Sequence, residues 1–543
     1  MSDLLTGPAD AAAGLAVHGA DAVEKAAPAS VRAALVARGF PAALAAQDPT
    51  LWGPAAEERA RSRLGWLDTH RRSRELLPQL AELTAELVDL DHVVLAGTGG
   101  VPLAAAAAAR TLGRPLTVLD STDPGRVRAT LADRLDRTVV VLAGGSGTAV
   151  TADSHRRTYW QAFLDAGMTE AEAARHFVVV ADPGSPLAEV AEAMGVLVVP
   201  ADPRATGRHA ALTACGLVPA ALAGVPVADL LDDAEAFAAS LGQDRDNPAL
   251  ALGAALAVAA DTGRRTVALI PDGTGLDGLG DWIAHLLAGP TGLLPVPVES
   301  PTAPGATGPG VLAVSYGGAL TAGDVPGGGG PDLAVLGPLG AHFLAWRYAA
   351  AVLAAARGVD PFEEPDDARS AAHTRRILES GPPPQAPTFT EGAVEVYAPP
   401  GGPADLDGVL RGLVDGLTGD GHLAVTAYLD RVADADAARL RPLLAAAAGR
   451  PVTFGWGPGC RHSTAKCHET GAPVGGYLQL TGAIDVDLPV PGRPYSLGQL
   501  QAAQAAGDRS ALADQGRPVL RLHLTDRPAG LAQLLDAIGR WRA

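Results

Sequence analysis

His92-Val93-Val94-Leu95-Ala96 leading into Gly97-Thr98-Gly99-Gly100, and Val139-Val140-Val141-Leu142-Ala143 leading into Gly144-Gly145-Ser146-Gly147-Thr148, are two apolar runs that each enter a glycine-rich turn. Four or five apolar residues in a row, without polar alternation, predict a strand covered on both faces, the kind found in parallel sheets. Glycines after such a strand let backbone N–H groups converge on one point, and the helix that follows adds its positive dipole end. An anion is the natural guest, and a phosphorylated small molecule the expected one. Gly99 and Gly100 in the first turn, with Ser146, Gly147 and Thr148 in the second, are the candidate binding residues, the two hydroxyls adding neutral donors. A tight turn with no ligand is the competing explanation for either loop. The first turn lacks the third glycine of G-x-G-x-x-G, and Asp120 imitates the ribose-binding acid only weakly, so a dinucleotide is not indicated.

Outward from these two strands, short apolar runs alternate with alanine-rich helical stretches. Strands are predicted at 92–96, 115–119, 138–143, 177–181, 196–199, 266–270, 311–315 and 332–336. The chain is therefore expected to be α/β, with two sequential αβα domains built on parallel sheets, a helical N-terminal lead-in and an α/β C-terminal region. The expected boundaries are 1–90 for the lead-in, 91–262 and 263–385 for the two αβα domains, and 386–543 for the last region, with strands near 422–428, 452–456, 476–480 and 519–524. The stretch 209–262 reads as helical, and the Pro- and Gly-rich segments 291–310 and 318–331 as loops.

Composition narrows the partners. At 543 residues, 48% hydrophobic and 19% charged, the chain should fold around substantial cores. A formal net charge of -18 disfavours nucleic acid and anionic membrane surfaces. Residues 1–90 show no basic recognition helix, which argues against a DNA-binding regulator. The uncharged run Ala210–Val227 contains Thr213, Gly216, Pro219 and Gly224 and reads as a buried helix pair, not a membrane span. Cys215, Cys460 and Cys467 are too few and scattered for a disulfide framework, and no secretory signal opens the sequence, so a reducing cytoplasm is expected. Cys460, Cys467, His462 and His468 match no standard zinc spacing.

A series of motifs in order along the chain carries a resemblance. Thr151-Ala152-Asp153-Ser154-His155-Arg156-Arg157-Thr158-Tyr159, Ala181-Asp182-Pro183-Gly184-Ser185-Pro186-Leu187 and Thr206-Gly207-Arg208-His209-Ala210-Ala211-Leu212-Thr213 come first. Gly340-Ala341-His342-Phe343, Asp360-Pro361-Phe362-Glu363-Glu364-Pro365, Arg461-His462-Ser463-Thr464 and Arg517-Pro518-Val519-Leu520-Arg521-Leu522-His523-Leu524 follow. Over roughly residues 90–530 the chain resembles glucose-6-phosphate isomerase, most of all the bacterial branch related to transaldolase-fused isomerases. The resemblance implies paired sugar-isomerase domains, interconversion of glucose 6-phosphate and fructose 6-phosphate, a hexose phosphate as ligand, no metal or organic cofactor, and a homodimer. It places Arg208 on the arginine that stabilises the enediolate, a task suited to a permanently charged planar donor, and His462 on the ring-opening histidine. A helix-start arginine paired with a carboxylate is the competing role for Arg208.

The departures from the family pattern bear directly on function. Ala288-Gly289-Pro290-Thr291-Gly292 stands where the family has its base glutamate, which falls at Gly289. A second family glutamate falls at Thr151, a lysine at Ala371, the Ser-Lys opening of the phosphate loop at Gly144-Gly145, and the paired serines of the first turn at Val101-Pro102. Either isomerisation is impaired, or the chain is a catalytically silent sugar-phosphate-binding or regulatory paralogue. Glu299, ten residues past Gly289, and Asp153 are the carboxylates considered as substitutes.

Overall fold

The computed structural model describes residues 10–12, 14–144, 150–289, 291–318, 330–363, 368–381, 385–398, 401–417, 419, 421–460, 475–517 and 519–542. The chain divides into two compact units, one of residues 1–119, 134–153 and 163–364, the other of 120–133, 154–162 and 365–543.

The first unit opens with a hairpin, β1 (Asp10–Ala12) and β2 (Leu15–His18). Its first full sheet holds β3 (His92–Ala96), β4 (Thr117–Leu119), β5 (Thr138–Ala143), β6 (Phe177–Ala181) and β7 (Leu197–Pro200) in the order β4-β3-β5-β6-β7, every pair parallel. Val139, Val140 and Val141 in β5 are fully buried, so both faces of the sheet are covered, as the unbroken apolar runs require. The chain winds outward to β4 on one side of β3 and to β5 on the other. The order therefore reverses between β3 and β5, where a ligand crevice is expected at the carboxyl ends. Those are the ends that carry the two glycine-rich turns.

The second sheet of this unit contains β8 (Thr266–Pro271), β9 (Leu294–Pro297), β10 (Val311–Gly317) and β11 (Leu333–Leu336), in the order β1-β2-β11-β10-β8-β9. Its central strands are parallel, and the N-terminal hairpin adds antiparallel through β2 to β11. The lead-in is thus not wholly helical. Leu15-Ala16-Val17-His18 is too short for its periodicity to show, and only the edge of a sheet made more than two hundred residues later gives its backbone partners. β9 likewise replaces part of an expected loop, because its two prolines hide the strand signal and are tolerated at the sheet edge.

The expected helical stretch resolves into Ala214–Leu222, Val227–Ala238 and Pro248–Asp261. Among the described residues one helix, Leu339–Arg357, is long and apolar enough to cross a membrane, and 94% of its apolar window is buried inside the protein. One hydrophobic core runs through the whole first unit.

The second unit has its own core and a six-stranded sheet of β12 (Phe389–Glu391), β13 (Val394–Tyr397), β14 (Leu423–Tyr428), β15 (Val452–Trp456), β16 (Gly476–Gly482) and β17 (Val519–Leu524), ordered β12-β13-β17-β16-β14-β15. β14 to β17 pair in parallel, and the β12–β13 hairpin joins β17 antiparallel.

Candidate functional site

β3 ends at Ala96, and Gly97 donates its N–H to the Leu119 carbonyl of β4 at 3.2 Å. Gly99 then adopts φ +90°, a conformation that L side chains rarely accept, and the helix Gly100–Thr111 begins at once. This is the strand–turn–helix geometry read from the sequence. Val101 and Pro102, where the family carries hydroxyls, are buried in the first turn of that helix, so any anion here meets backbone donors and not side-chain ones.

Arg208 sits in the short turn Gly207–His209, entered through Gly207 at φ +57°. The turn is held from behind. The His209 ring stacks on Trp66 with centroids 5.6 Å apart at 19°, and its carbonyl accepts a hydrogen bond of 2.8 Å from Nη1 of the buried Arg347. Burial first, then the neighbouring Arg208 and Arg347 cations, push the His209 imidazole well below its ordinary range, so it is neutral.

Two further segments meet this arginine. The Arg208 Nη1–H points to the Leu286 carbonyl at 3.4 Å, in the last turn of the helix Leu279–Leu287, where a cation is favoured by the helix dipole. At Gly289, just past that helix, a Cβ would lie 2.6 Å from Arg208 Nη1. At Gly100 a Cβ would lie 2.7 Å from Nε2 of His285 and 3.2 Å from the Arg208 Cα. The absence of side chains at these two positions is what lets the imidazole and the guanidinium approach so closely. The structure therefore brings Gly99, Gly100, Arg208 and Gly289 into one place, and adds His285.

His285 was not among the sequence candidates. One signal for it was available: it lies only four residues before Gly289, in the last turn of the helix that leads to that position. His462, Ser146, Gly147 and Thr148 lie outside the described residues. Of the carboxylates considered as substitutes, Glu299 is exposed beyond the edge strand β9, and Asp153 is in the first turn of the helix Val150–Asp165. Among the described residues no group of three or more His, Cys, Asp or Glu side chains is arranged to hold a metal ion.

No protein-family model matches the chain. It is 30% identical over 212 residues to the probable glucose-6-phosphate isomerase of Haloarcula marismortui, covering 38% of this chain and 48% of that protein. It is 37% identical over 172 residues to the glucose-6-phosphate isomerase of Thermosynechococcus vestitus, covering 30% of this chain and 32% of that one. These matches span half or less of the relatives' length. In fold the chain is similar to a glucose-6-phosphate isomerase from Chlamydia trachomatis, with a TM-score of 0.54 and 15% identity over 70% of this chain and 91% of that one. Over part of its length in sequence, and more widely in fold, the chain is thus similar to glucose-6-phosphate isomerases.

Proposed function

We propose that this protein binds a hexose phosphate at the carboxyl ends of β3 and β5 and interconverts glucose 6-phosphate and fructose 6-phosphate only slowly. The observation that carries the proposal is at Gly289: the position of the family's base holds no side chain, and Arg208 Nη1 lies 2.6 Å from where its Cβ would be. An aldose–ketose shift takes a proton from C2, passes through an enediolate and returns a proton to C1. Arg208 suits the enediolate, whose charge develops on oxygen. His462 suits ring opening by the family resemblance, and Ser146, Gly147, Thr148, Gly99 and Gly100 suit the phosphate and sugar hydroxyls. The proton carrier is what is missing, and general base catalysis contributes about 10²- to 10⁴-fold.

A coupled assay, with fructose 6-phosphate as substrate and a glucose-6-phosphate dehydrogenase as reporter, tests this. Turnover is expected to be slow in the parent chain, lost in Arg208→Ala and raised about 10²-fold or more in Gly289→Glu. Brisk turnover of the parent chain, indifferent to Arg208→Ala, overturns the proposal.

The buried, hydroxyl-free Val101-Pro102 favours a second reading in which the chain binds a phosphosugar without converting it, in a regulatory role. Calorimetric binding of fructose 6-phosphate with no turnover even in Gly289→Glu supports that alternative. The family resemblance, together with the cysteine usage, further supports a homodimer working in the cytoplasm.

A further inference from the structure

Behind the turn that carries Arg208 lies a cluster of buried polar side chains that the isomerase reading does not use. Arg347, in the middle of the helix Leu339–Arg357, has no exposed surface, and among the described residues it forms no ion pair. Its Nε–H donates to the Phe343 carbonyl at 2.7 Å and its Nη1–H to the His209 carbonyl at 2.8 Å, while Nη2 has no partner among the described residues. Trp66, beneath the guanidinium with its ring centroid 5.7 Å from Cζ, leaves its buried Nε1–H without a protein acceptor. His209, stacked on that indole, leaves both ring nitrogens unpartnered. So does His70, one helical turn after Trp66 and close enough to feel the Arg347 charge.

Four neighbouring side chains thus bury six polar atoms that have no partner among the described residues. Buried polar groups are almost always satisfied, and a buried charge without a counter-charge is among the most costly arrangements in a protein. The chemistry of the set is weighted towards donors, with one acceptor nitrogen on each neutral imidazole. Indole and guanidinium only donate, and an imidazole can donate through whichever nitrogen carries its hydrogen. The acids that act on His70, Asp68 and Glu235, are held by arginines at the surface: Asp68 by Arg72 at 2.8 Å, Glu235 by Arg74 at 2.9 Å and Arg71 at 3.7 Å. A guest that only accepts and carries negative charge takes up the donors of this set and compensates the cation; water matches the hydrogen bonds but leaves the cation uncompensated.

We propose that Arg347, Trp66, His70 and His209 form a buried site for a small monovalent anion of halide size, which braces the turn carrying Arg208 through the His209 backbone. Burial lowers the Arg347 pKa to about 9, still high enough for the side chain to be charged at neutral pH. The existence of this site does not depend on the isomerase reading.

Thermal unfolding of the full chain in sodium chloride, sodium bromide and sodium gluconate at equal ionic strength tests the proposal. Halide is expected to raise the midpoint by about 2–4 °C over gluconate, too large an anion to enter. Arg347→Met should abolish the difference. If that variant fails to fold, Trp66→Phe keeps a ring, removes one donor and should shrink the halide effect. Crystals grown in bromide should show an anomalous peak within hydrogen-bonding distance of Arg347 Nη2. Equal midpoints in halide and gluconate, or ordered water with no bromide signal at that position, overturn it.

Discussion

On the proposed reading the missing side chain at Gly289 limits proton transfer, and the guanidinium of Arg208 reaches to within 2.6 Å of the space such a side chain would enter. The arginine can give way there, since the atom that would be met is the tip of a flexible side chain. Restoring a carboxylate at 289 is therefore sterically feasible and would place an acceptor beside a cation. For the arginine itself, Arg208→Lys should recover little of the turnover lost in Arg208→Ala, because an ammonium does not present two parallel donors to an enediolate. Steady-state rates of the two variants in the Gly289→Glu background check this, and equal rescue by lysine would count against a planar clamp. At Gly100 the contact falls on Arg208 backbone and on the His285 ring, neither of which moves freely in a buried site. Gly100→Ala should displace the arginine by a few tenths of an ångström or more and cost about 10- to 10²-fold in kcat/KM. Unchanged kinetics would show that Gly100 does not border the reacting centre.

The secondary-structure elements owe their placement to packing at least as much as to their own sequence. Pro248–Asp261 and Leu339–Arg357 lie side by side in the first unit, and Gly253 allows the approach: a Cβ there would come within 2.5 Å of the Val352 Cβ and 2.6 Å of the Ala349 carbonyl oxygen. A backbone atom cannot step aside. Gly253→Ala should destabilise the protein by about 1–3 kcal/mol, although alanine is the better helix former, and urea unfolding measures it. At the start of Glu170–Arg175 the effect is local instead. Thr169 Oγ1 accepts from the Glu172 N–H at 3.2 Å and the Glu172 carboxylate accepts from the Thr169 N–H at 2.8 Å. Thr169→Ala should cost about 1 kcal/mol. Hydrogen exchange confined to that helix would register the loss even if global unfolding did not.

Several histidines across the molecule are buried in neutral form, and together they set its response to acid. Burial lowers His70, His155, His342 and His422 to about 4 from the ordinary 6.5. Above pH 6.5 folded and unfolded chains are both neutral at these sites, and the full stability is present. As pH falls from 6.5 towards 4 only the unfolded chain takes up the protons, so stability drops through that window and levels off below it. Each fully buried imidazole, His155 and His342 among them, contributes up to about 3 kcal/mol to the loss. Both units are affected, since His70 and His342 belong to one and His155 and His422 to the other. Denaturant midpoints should fall steadily from pH 7 to pH 5, whereas a flat profile would mean that these rings have partners that accommodate their charge.

The central parallel strands of the first sheet were legible from the chain alone because residues buried on both faces leave an unbroken apolar run, and β3, β5 and β6 fall where those runs lie. The glycine turn after β3 was legible for a similar reason: only glycine takes the backbone angle found at Gly99. The β1–β2 hairpin and β9 were not, since their edge positions are defined by partners distant in sequence and not by any pattern of their own. The same division holds for the site. Arg208 and Gly289 stand out in the one-dimensional pattern, but that the guanidinium of one reaches the empty place of the other, with His285 pressed against Gly100, is set by the packing of the helix Leu279–Leu287 on its neighbours. Local covalent geometry and burial period are written into consecutive residues; which distant side chains share a space depends on how the closed core is filled.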